Sequence, residues 1–472
     1  MTQTFSRRRA LQLSAGGFGY LALAALAGQA RQAQASPLAP KQPHHAPRVK
    51  RVIFMFMEGG PSHVDTFDYK PALFAADGQS LPYQQPGAGF SGNQNDKLFK
   101  PITEFHRHGE SGLWISDFFP HLARHADDLC LINSLHHDTG NHEPGCQLMH
   151  TGEFRLTRPA LGAWAVYGLG AETENLPAYM SVNPRDRNIP IGCYSSGFLP
   201  AVYDATVMQG FTLSSGKGGE APPIRNVRNG RLTAAEQRRQ LDFVQAMNRD
   251  LASRRGGDSE IDAVIESYER GFRMQAAVPE VMDFSGESQA TLEMYGLTGK
   301  GIGLFAPQCL LARRLAEAGV RFIEISASGW DHHGDIAKQL PNSCRNIDQP
   351  IAGLITDLKQ RGMWEETLLV WGGEFGRTPV MENSNSGKAG RDHNGAGFTY
   401  WIAGGGVKGG MRYGATDELG YFAAEDKCGV RDLHCTILHL MGIDPKQLAF
   451  HYSGRDYTPA DVDGEVLQAV LA

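Results

Sequence analysis

One device recurs along this chain and constrains its fold more than any other feature. An apolar run of strand length stops in glycines, and carboxylates or imidazoles follow. Thr367–Trp371 runs into Gly-Gly-Glu374-Phe-Gly-Arg377-Thr-Pro379, and Val320–Ile325 is followed by Gly-Trp-Asp331-His332-His333. Arg51–Met57 gives way to Glu58-Gly-Gly-Pro-Ser62-His63-Val-Asp65-Thr-Phe-Asp68. Runs with little polar alternation belong to strands covered on both faces. Leu129–Ile132 and Thr399–Ile402 read as further strands, and helical patterns over Phe118–Asp128, Ala306–Gly319 and Asp348–Gly362 alternate with them. This order predicts an α/β fold: a mainly parallel central sheet with helices on both faces. Such sheets present ligands at the carboxyl ends of their strands.

The N-terminus reads as an address rather than as structure. Ser6-Arg7-Arg8-Arg9 precedes an uncharged run from Leu13 to Ala30, and Ala33-Gln34-Ala35 offers a small-residue cleavage site. Residues 1–35 are therefore expected to be a twin-arginine export signal, placing the protein in the periplasm or outside the cell. Pro-rich residues 36–50 read as a flexible tether, and residues 51–472 as one domain with an insertion around 154–300. Within it, 154–230 reads as irregular and 234–275 as one or two amphipathic surface helices. A net charge of −6 with both signs interspersed excludes a nucleic-acid binder. No later apolar run is long enough to span a bilayer. The seven cysteines form no C-x-x-C pair, and buried thiols are favoured over a Cys428–Cys435 disulfide.

Asp331 and His333 after one strand, with Asp392-His393 downstream, supply carboxylate and imidazole in the proportions of a catalytic metal site with an open position. Zinc is the first expectation, with manganese, iron or calcium as alternatives. Asp65 and Asp68, delivered with Ser62 and His63 in one glycine-started loop, are further candidate ligands.

The segment His142-Glu-Pro144-Gly145-Cys146 through Thr151-Gly152 resembles the signature of the sulfatase branch of the alkaline phosphatase superfamily. In that alignment His142 occupies the position of the sulfatase nucleophile, and Gly145-Cys146 replace Ser-Arg. Thr367–Gly376 is similar to the sulfatase metal-binding stretch, with Glu374 on the metal-binding Asp and Phe375 on the adjacent His. Asp432 to Asp444 looks like a late sulfatase helix. Over the whole chain the similarity is greatest to the DUF1501 family, whose hallmarks appear at Gly59–Asp68, Gly329–His333, Gly373–Pro379, Gly390–His393 and Gly454–Tyr457.

The resemblance implies a sulfatase-like fold, one site made of Asp331, His333 and His393, and a weaker second site from Glu374 with Asp65 or Asp68 and His142. Histidine cannot become formylglycine, so attack by metal-activated water is expected, with His142 or Glu374 as base or ligand and Arg377 clamping sulfate or phosphate oxygens. Three readings stay open: a metal-dependent hydrolase of sulfate or phosphate esters, including those of glycans; a metal-binding protein without turnover; and a glycan- or surface-binding protein. The sequence leaves the oligomeric state open.

Overall fold

The computed structural model describes residues 36–83, 94–184, 190–212, 224, 227, 230–255, 259–299, 303–383 and 388–472. The expected export signal lies outside them. A nine-stranded sheet forms the centre. Its strands are β1 (Arg51–Glu58), β2 (Leu129–His136), β3 (Tyr179–Val182), β4 (Thr206–Met208), β5 (Phe322–Ser328), β6 (Thr367–Gly372), β7 (Phe398–Gly404), β8 (Met411–Tyr413) and β9 (Cys428–Gly429). The order is β8-β2-β7-β6-β1-β5-β3-β4, with β9 also on β2, and β7 alone runs against the rest.

Alternate residues of each central strand feed two separate cores. Ile53, Met55 and Met57 of β1 and Leu369 and Trp371 of β6 join one, while Val52, Phe54, Phe56, Leu368 and Val370 join the other. Helices α5 (Phe305–Glu317) and α6 (Ile336–Gln360) close the first core. Helices α1 (His142–Thr151), α2 (Leu161–Leu169) and α7 (Val430–Leu440) close the second. Each large side chain buried this way contributes roughly 1.5–3 kcal/mol, which is why both faces of β1 are apolar. Where one or two surface helices were expected over 234–275, there are two, α3 (Ala234–Arg254) and α4 (Ser259–Met282). All seven cysteines are free and buried.

One charge interrupts the second core. Glu324 of β5 lies 3.0 Å from His150 Nε2, and His150 Nδ1 donates to the Cys146 carbonyl at 2.6 Å. Both ring nitrogens face acceptors, so the imidazole is charged. Burial opposes that charge, but Glu324 outweighs it and holds His150 well above its ordinary pKa. His150→Leu is expected to cost about 3–5 kcal/mol at pH 6, because it strands a buried carboxylate. A raised folded pKa gives stability that is complete below about pH 6.5 and lost as pH rises through the folded value. Urea unfolding should therefore show a smaller penalty at pH 9 than at pH 6.

Two expectations fail on packing. The 154–230 stretch is not irregular throughout: it supplies α2 and the strands β3 and β4 at the sheet's edge. Helix α2 is apolar nearly all round because the sheet covers one side and Ile443 and Leu448, beyond α7, cover another, so no amphipathic period marks it. The 36–50 stretch is not a free tether. Leu38 and Val49 are buried, and its backbone bonds to Leu169, Gly442 and Leu440 strap it across the ends of α2 and α7.

Candidate metal centre

The carboxyl ends of β1, β5 and β6 converge, and their loops carry the sequence candidates. The close approach depends on glycine. Gly59, at φ +116°, lies against the Trp330–Asp331 backbone, and Gly390 lies against His333. A side chain at either position would push the loops apart.

Four residues meet there: His142 at the first turn of α1, Asp331 and His333 after β5, and His393 before β7. Their ligand atoms lie within 4.8 Å of one another. All three imidazoles point Nε2 at the Asp331 carboxylate, at 3.3 Å for His142, 2.9 Å for His333 and 3.1 Å for His393. Each Nδ1 donates to its own acceptor: Glu374 at 2.5 Å behind His142, Glu382 at 2.6 Å behind His333, and the Gly140 carbonyl at 2.6 Å behind His393. An acceptor on Nδ1 fixes the tautomer that leaves Nε2 for a metal. Three imidazoles and a carboxylate can hold a divalent cation. Asp331 is 40% exposed and His333 33%, so the cluster opens to solvent on one side.

The field in the cluster follows from these contacts. Burial works against the charge on His142 and His333, but their carboxylate partners outweigh it and raise both to about 9. His393 goes the other way, to about 4, because burial and the Arg377 charge both oppose its proton. Burial disfavours the Asp331 charge, yet contacts from the three imidazoles and Arg377 hold it far below the carboxylate range.

The structure redistributes several expected roles. Glu374, expected as a ligand, is fully buried behind His142 and accepts from the Gly59 N–H at 2.9 Å; it orients the His142 ring instead. Arg377, expected to clamp an anion, is fully buried. Its guanidinium donates to the Gly59, Gly60, Trp330 and Arg391 carbonyls and to Asp331 at 2.6 Å, which sets the carboxylate rather than a substrate. Asp65 lies outside the cluster, in a buried pair with Arg391 at 2.7 Å and 3.1 Å. Asp68 is likewise taken up by Lys70 at 3.1 Å and by Thr416. Asp392 falls in a second group with His333 and Glu382, on the Nδ1 side of His333, and one of its oxygens accepts from the His393 N–H. Glu382 was missed, since a lone carboxylate in Val380–Asn383 carries no motif. Glu374→Gln should weaken metal binding by about 10–100-fold while the protein stays folded, as read by competition with a chromophoric chelator.

The family described as "Protein of unknown function (DUF1501)" matches residues 49–471. No curated protein matches the sequence. Among solved structures, PsFucS1 sulfatase from Pseudoalteromonas sp. aligns at 10% identity and TM-score 0.38, over 90% of this chain and 72% of that one. Alkaline phosphatase from the Antarctic bacterium TAB5 aligns at 11% and 0.33, over 79% and 95%. The lipoteichoic acid synthase LtaP from Listeria monocytogenes aligns at 9% and 0.34, over 88% and 78%.

Proposed function

Because the chain belongs to the DUF1501 family, we propose its reaction from the metal centre: hydrolysis of sulfate or phosphate esters that depends on a divalent metal. The observation that carries this reading is the convergence of three Nε2 atoms on one carboxylate, each imidazole fixed from behind. When bound, the cation supplies Lewis acidity and an activated water at neutral pH. His142, Asp331, His333 and His393 hold it. Glu374, Glu382 and the Gly140 carbonyl keep the rings in register, and Arg377 fixes the carboxylate. The nitrogen-rich set favours zinc, manganese or iron over calcium.

Neither Ser62 nor Cys146, the two nucleophiles that the sequence offers near the site, is placed to attack an ester. Ser62 is fully buried and donates to Asp65 at 2.5 Å, and Cys146 is fully buried with its thiol pushed up by desolvation. Four protein ligands would close a tetrahedral site, so turnover needs an ion that takes a further ligand beside them, and the exposure of Asp331 leaves the side open on which that ligand would enter. The same reading has the chain exported through its Ser6–Arg9 signal, with residues 51–472 as one sulfatase-like domain. Among the described residues, no helix is long and apolar enough to cross a membrane.

The test is metal content by mass spectrometry together with a panel of aryl and sugar sulfates and phosphates. About one ion per chain is expected, with turnover that a chelator abolishes and zinc or manganese restores. A folded, metal-loaded protein that turns over none of the panel would refute the hydrolase reading.

A further inference from the structure

A hollow of about 460 Å³ lies at the carboxyl ends of β3, β4 and β5, beside the metal centre. Asn183 beyond β3, Phe211 beyond β4, Ser328 at the end of β5 and Asn346 of α6 line it, as does Trp330, the residue before Asp331. Its size falls in the range of small-molecule sites, roughly 300–1,000 Å³.

Two properties set it apart from the cluster next door. None of the described residues that line it is charged, although 20% of the chain is Asp, Glu, Lys or Arg. An anion entering it would lose hydration with no cation in return from these residues. Its walls are also pre-formed. The Asn183 amide bonds Phe211 both ways, at 2.8 Å and 2.7 Å, and Gln308 holds the Ser326 carbonyl at 3.1 Å. Among the described residues, no hydrogen bond engages the Asn346 amide or the Ser328 hydroxyl, so both remain for a ligand. Amide and hydroxyl groups beside aromatic surface suit a molecule with many hydroxyls and apolar ring faces.

We propose that this hollow binds the uncharged, hydroxyl-rich alcohol half of the ester, a neutral sugar, while the sulfate or phosphate half sits at the metal centre. The assignment rests on the hydrolase reading for its link to chemistry, but binding can be measured without turnover. The probes are maltose, cellobiose and lactose, with a disaccharide containing a uronic acid as counter-probe. Binding to the full zinc-loaded chain is followed by ligand-observed NMR.

At least one neutral disaccharide is expected to bind ten-fold or more tightly than the acidic one. Asn346→Trp, which fills the hollow, should weaken that binding at least ten-fold at unchanged metal content. Asn346→Ala, on the exposed side of α6, should weaken it by a smaller factor and guards against misfolding. No neutral binding to the folded protein, a preference for the acidic probe, or binding indifferent to both variants would overturn the proposal. Neutral binding without turnover of any ester would uphold this site and refute the hydrolase reading alone.

Discussion

Asp331→Ala is expected to strip the chain of its metal, with affinity falling by more than the roughly 100-fold loss seen for a mere orienting partner. Asp331 is the one residue that all three imidazoles face, and it is also the charged partner of the buried Arg377. Alanine therefore removes a ligand and leaves a guanidinium with carbonyl partners only, at a further cost of about 1–3 kcal/mol in stability. Asp331→Asn separates the two effects. It keeps an acceptor for Arg377 but loses the anionic ligand, so metal should go while the fold stays. Metal analysis beside a urea melt reads both, and an asparagine variant that holds metal like the parent would remove Asp331 from the ligand set.

The second large effect is on folding rather than chemistry. Asp65 and Arg391 are both fully buried and bonded through two oxygens. Asp65→Ala leaves the guanidinium desolvated and without its counter-charge, so a loss of about 3–5 kcal/mol is expected in urea unfolding. Asp65→Ala with Arg391→Met should recover much of that loss, since an apolar replacement of a buried pair is often neutral. If Asp65→Ala instead folds with parental stability and loses a metal ion, the sequence-based ligand assignment is right after all.

The sheet's middle was legible because β1 and β6 are covered on both faces and read as unbroken apolar runs. Its edge was not: β3 and β4 span only four and three residues, too short to show a period. The strap over 36–50 was misread because composition registers its prolines but not the backbone bonds that dock it. In the site, Asp331, His333 and His393 could be found because each follows or precedes a strand at the same edge. Spacing cannot say whether a carboxylate faces a cation or stands behind a ring, and Glu374 stands behind His142. The surroundings of Asp65 and Asp68 are hidden from spacing for a related reason. Their partners Arg391, Lys70 and Thr416 lie mostly far along the chain, and a carboxylate already matched by a buried cation is indistinguishable in sequence from one awaiting a metal.

The reversed strand β7 delivers His393 to an edge where the other ligands arrive from strands running the opposite way. The centre thus has no precursor in any shorter stretch of chain. A growing polypeptide carries His142 and later Asp331 and His333, but His393 is added only after six of the nine strands have been synthesised. On the proposed reading, metal loading would report that segments far apart in the chain have closed on one another at this edge, and a chain ending before His393 would fail that check.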